Sequence, residues 1–128
     1  MRIYLLKKVK GRKYDTSEIL LAIAKKEGIE NALLSRTSEG KPYFSREGAE
    51  IPPFFSVSHT ARYWAAVFSD DIRIGFDIEE RSRRIKRGTA RFFHEAERRY
   101  LSGLEKNSRE WNEEFLAIWT AKESFLKV

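Results

Sequence analysis

The stretch Ile72-Arg-Ile-Gly-Phe-Asp-Ile-Glu79 constrains this chain most, because it sets two carboxylates in a run otherwise suited to a buried strand. Residues two apart in a strand share a face, so Asp77 and Glu79 would stand side by side while Ile74, Phe76 and Ile78 fill the other. Adjacent anions repel unless a cation or solvent lies between them. A hard cation such as Mg²⁺, bound through one or two carboxylates with phosphate oxygens completing its shell, is one solution, and Gly75 would let a ligand approach the backbone. An edge strand with a solvated acidic end is the other.

The 128 residues suit one domain, which buries roughly two-thirds of its unfolded surface and sustains a core. With no cysteine, neither a disulfide framework nor a thiolate metal site can form, and a reducing compartment, the cytoplasm, is expected. No apolar run approaches the ~20 residues of a membrane helix, and the opening Met1 to Lys7 is charged too soon for a signal peptide, so no membrane partner is expected. The net charge of +6 is concentrated in two basic runs, Lys7 to Lys13 and Arg81 to Arg91. It calls for an anionic partner without choosing among a nucleic acid, a phosphorylated small molecule and an acidic protein.

The pattern predicts a first strand over Arg2 to Lys7 and a helix opened by Asp15 with Glu18, carrying Ile19, Leu20, Ile23 and Ala24 on one side and ending near Gly28. Strands follow at Phe54 to His59 and Arg62 to Ser69, and with a third at Ile72 to Glu79 they make an antiparallel meander. Thr89 would cap a helix over Ala90 to Leu101, and Asn107 with Glu110 would open a last one. That helix carries an apolar stripe of Trp111, Phe115, Ile118, Trp119 and Phe125, with Thr120, Glu123 and Lys127 on another face. Strands joined by short turns and packed against helices argue for the α+β class.

Four segments, Phe55-Ser-Val-Ser-His59, Gly75-Phe-Asp-Ile-Glu79, Phe92-Phe-His-Glu-Ala-Glu97 and Trp119-Thr-Ala-Lys-Glu-Ser-Phe-Leu-Lys127, come in the order and spacing of the 4′-phosphopantetheinyl transferases. The chain most resembles the surfactin-synthetase-activating type, from Gly40-Lys-Pro42 to Lys127. The resemblance implies Mg²⁺-dependent transfer of the 4′-phosphopantetheine arm of coenzyme A to a serine of an acyl or peptidyl carrier protein, releasing 3′,5′-ADP. By motif position it implies that Asp77, Glu79 and Glu123 hold the metal, that Glu97 takes the serine proton, and that Lys127 contacts phosphate. Ser58 and His59 match residues that bind the nucleotide phosphates, and Lys41 one associated with the 3′-phosphate.

It also divides the single domain 1–128 into a first half, 1–71, and the start of a second, 72–128, which longer members of this type continue. The apolar stripe of the last helix would then seek cover, and a homodimer is the arrangement expected to give it. Two other classes remain. A non-catalytic basic module, a remnant of such a transferase, would bind an acidic carrier protein or nucleic acid. A metal nuclease also groups Asp with Glu and Lys, but Glu123 and Lys127 four apart on a helix do not suit it, and nucleic acid is the less favoured partner.

Overall fold

The computed structural model describes residues 1–85 and 89–128 of the chain. The part of the second basic run at 86–88 lies outside the described residues. The expected α+β class holds, with antiparallel sheets and three α-helices among the described residues. Strand β1, Arg2–Lys7, leads through a basic turn to helix α1, Thr16–Lys26. Asp15 caps α1, its carboxylate accepting from the amides of Ser17 and Glu18, and Gly28 takes the positive φ that follows its end.

Three short strands, β2 (Leu33–Arg36), β3 (Pro42–Arg46) and β4 (Ala49–Glu50), form one antiparallel sheet in that order. The sequence reading assigns no strand to Pro42–Arg46. Proline is tolerated as the first residue of this strand, and Phe44 two places on is buried in the core. Strands β5, Phe54–His59, and β6, Tyr63–Ser69, join β1 in a second antiparallel sheet of order β1-β6-β5. The register sets Tyr4 against Ala66 and Phe55 against Phe68. One face of this sheet therefore presents Tyr4, Phe55, Trp64, Ala66 and Phe68 to Leu20, Ile23 and Ala24 of α1 and to Phe44, and this is the first core. Each of the large side chains contributes about 2–3 kcal/mol through burial.

The other face carries Ser56, Ser58, Ala65 and Val67, all buried although small or polar. What meets the two serines is the segment 72–79, and here the expected third strand requires correction. Ile72 to Glu79 forms no strand ladder. It runs along β5 in the same direction, Phe76 beside Ser56 and Ile78 beside Ser58, without backbone pairing to its edge. The Phe76 amide donates to Ser56 Oγ at 3.1 Å and the Ile78 amide to Ser58 Oγ at 3.2 Å. Two serines on one strand face thus take the place of a neighbouring backbone, because a chain lying on a sheet face can reach only side chains.

The second core belongs to the helices. A 3₁₀ turn at Thr89–Phe92 precedes helix α2, Glu95–Ser102, and helix α3 spans Arg109–Leu126. The expected single helix over Ala90 to Leu101 is interrupted because His94 takes an extended conformation and starts a new cap, accepting from the Ala96 amide, while Glu97 accepts from the His94 amide. His94 is thus the N-cap of α2. Ser108, and not Asn107, caps α3, since Asn107 has φ of 63° and cannot supply the cap geometry. Phe93, Leu101, Trp111, Phe115 and Leu116 bury one another, with Phe93 stacked on Phe115 at 4.8 Å. The stripe expected to seek cover in a second copy finds most of it within the chain, and Phe125 remains exposed. Among the described residues, no helix is long and apolar enough to cross a membrane.

Gly75 is where the two cores meet. A Cβ there would lie 1.8 Å from the Ser124 carbonyl oxygen, so only glycine lets the end of α3 rest on the 72–79 segment. That contact sets the candidate site.

Candidate functional site

Asp77 is the centre of the seam between 72–79 and α3. Its side chain is only 7% exposed, and Oδ1 accepts hydrogen bonds from Ser58 Oγ at 2.8 Å and from Lys127 Nζ at 2.6 Å. Its second oxygen, Oδ2, is buried and has no hydrogen-bond partner among the described residues. A buried carboxylate oxygen left bare costs about 1–3 kcal/mol or more, so a site that tolerates one is built for something else to bind there.

The other expected ligands do not gather around it. Glu79 is largely buried and paired with Arg83, whose guanidinium lies 5.5 Å from the centroid of the Trp119 ring. Glu123 is half-buried on α3, and its carbonyl oxygen accepts from the Lys127 amide at 3.1 Å. Among the described residues no three of His, Asp and Glu form a group that could hold a metal ion. The donor chemistry nevertheless suits a hard divalent cation in its usual manner, through one or two carboxylates with ligand phosphates and water supplying the rest. Asp77 Oδ2 is the free oxygen that such an ion would use.

Glu97 occupies the third position of α2, where Oε2 accepts from the His94 amide at 2.8 Å and lies 2.9 Å from Lys122 Nζ. The Lys122 hydrogen bond does most to hold its carboxyl below the usual carboxylate range, outweighing the opposing effect of partial burial. Glu97 faces a groove of about 520 Å³ shared with Ile118, Ala121, Lys122, Phe125 and Leu126.

A second cavity, about 490 Å³, is lined by Thr37, Gly40, Lys41, Phe55, Val57 and Lys127 among others. Lys41 stands over it, half-buried, its Nζ donating to the Lys127 carbonyl at 2.5 Å, and burial pulls its pKa below the ordinary lysine value. His59 is exposed at the end of β5, with Nδ1 3.4 Å from Lys8 Nζ. Lys8 also donates to the Thr60 carbonyl at 2.7 Å, which ties the basic turn after β1 to this corner. Ser58 is buried, its hydroxyl committed to Asp77 and Ile78.

The structure thus brings Ser58, Asp77, Lys127 and Lys41 into one connected group and leaves Glu97 on the groove at the other side of α3's end. Sequence reasoning missed Lys8, Arg83 and Lys122. Arg83 carries a local signal, four residues after Glu79. Lys8 and Lys122 are paired by the fold alone.

Comparison with known proteins bears on this group directly. The family description 4′-phosphopantetheinyl transferase superfamily matches residues 73–128, which include Asp77, Glu79, Glu97, Glu123 and Lys127. A curated protein of Aneurinibacillus migulanus named 4′-phosphopantetheinyl transferase gsp is 31% identical over 98 residues, covering 77% of this chain. The chain spans 38% of the length of that relative.

Proposed function

We propose that this chain, whose residues 73–128 match the 4′-phosphopantetheinyl transferase superfamily, transfers the 4′-phosphopantetheine arm of coenzyme A to a serine of an acyl or peptidyl carrier protein in the cytoplasm. The observation that carries this reading is the buried, unpartnered Oδ2 of Asp77 beside Lys127, whose carbonyl accepts from Lys41 at a cavity of about 490 Å³.

In this reading Asp77 would hold Mg²⁺, with Glu79, once released from Arg83, and Glu123 as the further oxygen donors. When bound, the ion neutralises negative charge on the pyrophosphate and on its departing oxygen. Lys41, His59 and Ser58 belong to the nucleotide-phosphate end, where lysines act as point charges. Glu97, kept ionised by Lys122, accepts the proton of the carrier serine. The serine oxygen bonds to the phosphorus bearing the pantetheine arm. The bond from that phosphorus to the bridging oxygen breaks, and its electron pair leaves with 3′,5′-ADP. Lys127 steadies the phosphates through this exchange.

The experiment is incubation of the protein with coenzyme A, Mg²⁺ and several apo carrier proteins, read by mass spectrometry of the carriers. The expected result is a carrier gaining the mass of the arm on one serine. Intact coenzyme A binding with no mass gained on any carrier would overturn transfer and support the second reading, a non-catalytic module for an acidic partner. One observation favours that second reading: Glu97 already serves as a capping residue and ion-pair partner, duties that would keep it in place without catalysis.

A further inference from the structure

Each carboxylate expected at the metal on the 72–79 segment is held by a cation of this same chain. Asp77 is paired with Lys127 and Glu79 with Arg83. The pairings follow from burial, since an ionised carboxylate removed from water demands a compensating charge. Lys127 and Asp77 differ, however, in how firmly each is placed. Asp77 is fixed by Ser58 and by its own burial. Lys127 is the residue that closes α3. Its amide donates to the carbonyls of Glu123 and Ser124, and its carbonyl accepts from Lys41. Its backbone is therefore held at both ends of the peptide, while its side chain is a flexible stem, 31% exposed, on the rim of the cavity it shares with Lys41.

We infer that Lys127 is the resident cation of this site: its ammonium neutralises Asp77 in the ligand-free chain, and a divalent cation entering at Asp77 displaces it into the Lys41 cavity, where it meets the phosphates of the incoming ligand. The inference rests on the metal and phosphate assignments proposed above and adds an order of events to them. Lys127 engages Oδ1 alone, and Oδ2, buried and without a hydrogen-bond partner among the described residues, is the oxygen a divalent ion takes as the ammonium departs. A divalent ion and an ammonium on one small carboxylate repel each other strongly at that range, and the mobile group is the one that moves. Lys127 is in this sense a positioning residue for the empty site and a phosphate-binding residue for the filled one. Metal entry and phosphate binding are thereby coupled, because the ion that takes Asp77 frees the charge that the phosphates need.

The test uses the full 128-residue chain and metal alone. Mg²⁺, and Mn²⁺ as a second probe, are titrated calorimetrically without coenzyme A into the wild type and into Lys127→Met, which keeps the length of the stem and removes the competing charge. The expected result is metal affinity at least about tenfold tighter in the variant, together with weaker binding of coenzyme A in the presence of Mg²⁺. Affinity equal to or weaker than that of the wild type, with the fold intact by circular dichroism, would overturn the inference, as would absence of metal binding to both proteins.

A wild-type measurement covers the case in which Lys127→Met does not fold. Amine-acetylation footprinting by mass spectrometry should show Lys127 reacting several-fold faster once Mg²⁺ is added, and protected again when coenzyme A follows. Unchanged Lys127 reactivity at metal saturation overturns displacement. The carrier-protein assay keeps the two readings apart: transfer without displacement leaves the proposed activity standing and removes only the role given to Lys127.

Discussion

Glu27 and Glu97 show at the scale of single residues how little a carboxylate's position in the sequence says about its duty. Glu27 stands at the end of α1 and accepts hydrogen bonds from Arg2 at 2.7 Å and from the Tyr4 hydroxyl at 2.7 Å, joining the helix to β1. Burial alone would raise its pKa, but the hydrogen bonds from Arg2 and Tyr4 prevail and hold it below the ordinary value. A carboxyl depressed in the folded state binds its proton more readily in the unfolded one, so its stabilising effect is complete above the ordinary glutamate range and fades as pH falls through the depressed value. Urea unfolding followed from pH 7 down to about pH 3 should lose stability in that acidic window. Glu27→Gln should flatten this dependence, and an equally steep loss in the variant would show that other carboxylates cause it.

At the scale of elements, the end of α3 is placed by what it touches. Helical periodicity accounts for Trp111, Phe115 and Leu116 facing α2, but it does not position the last turn, where Phe125 and Leu126 are exposed. That turn rests on Gly75 and is tied by Lys127 to Asp77 and by Lys41 to the Lys127 carbonyl. Gly75→Ala puts a methyl group into the Ser124 carbonyl, a backbone atom that cannot rotate away. The cost expected is about 2–3 kcal/mol, relieved by lifting the last turn of α3 from the 72–79 segment. Thermal unfolding should register the loss, and coenzyme A binding in the presence of Mg²⁺ should weaken as the lifted turn carries Lys127 away from the Lys41 cavity. A variant as stable as the parent with unaltered binding would show that the seam has more room than the geometry allows.

Across the whole molecule, two cores meet along a narrow seam. The first is built on α1 and the β1-β6-β5 sheet with Phe44, the second on α2 and α3 around Phe115. Phe115 is stacked between Phe93 at 4.8 Å and Trp111 at 5.3 Å, so Phe115→Ala opens a cavity at the centre of the smaller core and should cost about 3–5 kcal/mol. Such a loss is a large share of the 5–15 kcal/mol that a domain commonly has. Because the seam is narrow, we expect amide hydrogen exchange of the variant to show lost protection through α3 while Ala65 to Phe68 of β6 remain protected. Loss of protection in β6 to the same degree would mean that both cores unfold as one unit.

The local patterns needed no tertiary structure. The Asp15 cap, the alternation of Trp64, Ala66 and Phe68, and the α3 stripe each depend on neighbours within a few residues, where helix and strand periods fix which side chains share a face. That Asp77 needs a compensating partner was also legible, since a charge in an apolar run has few inexpensive explanations. What the 72–79 run itself becomes was decided elsewhere. Its apolar alternation fits a strand, yet β5 offers it Ser56 and Ser58 on a face instead of an open edge, and the end of α3 packs upon Gly75. The same holds for the partners of the charged groups. Lys127 on Asp77, Lys122 on Glu97 and Lys8 beside His59 join residues 50, 25 and 51 positions apart along the chain. No period in the sequence encodes those distances, because a charged pair is chosen by which elements packing brings within reach, inside one core for Lys122 and Lys8 and across the seam for Lys127.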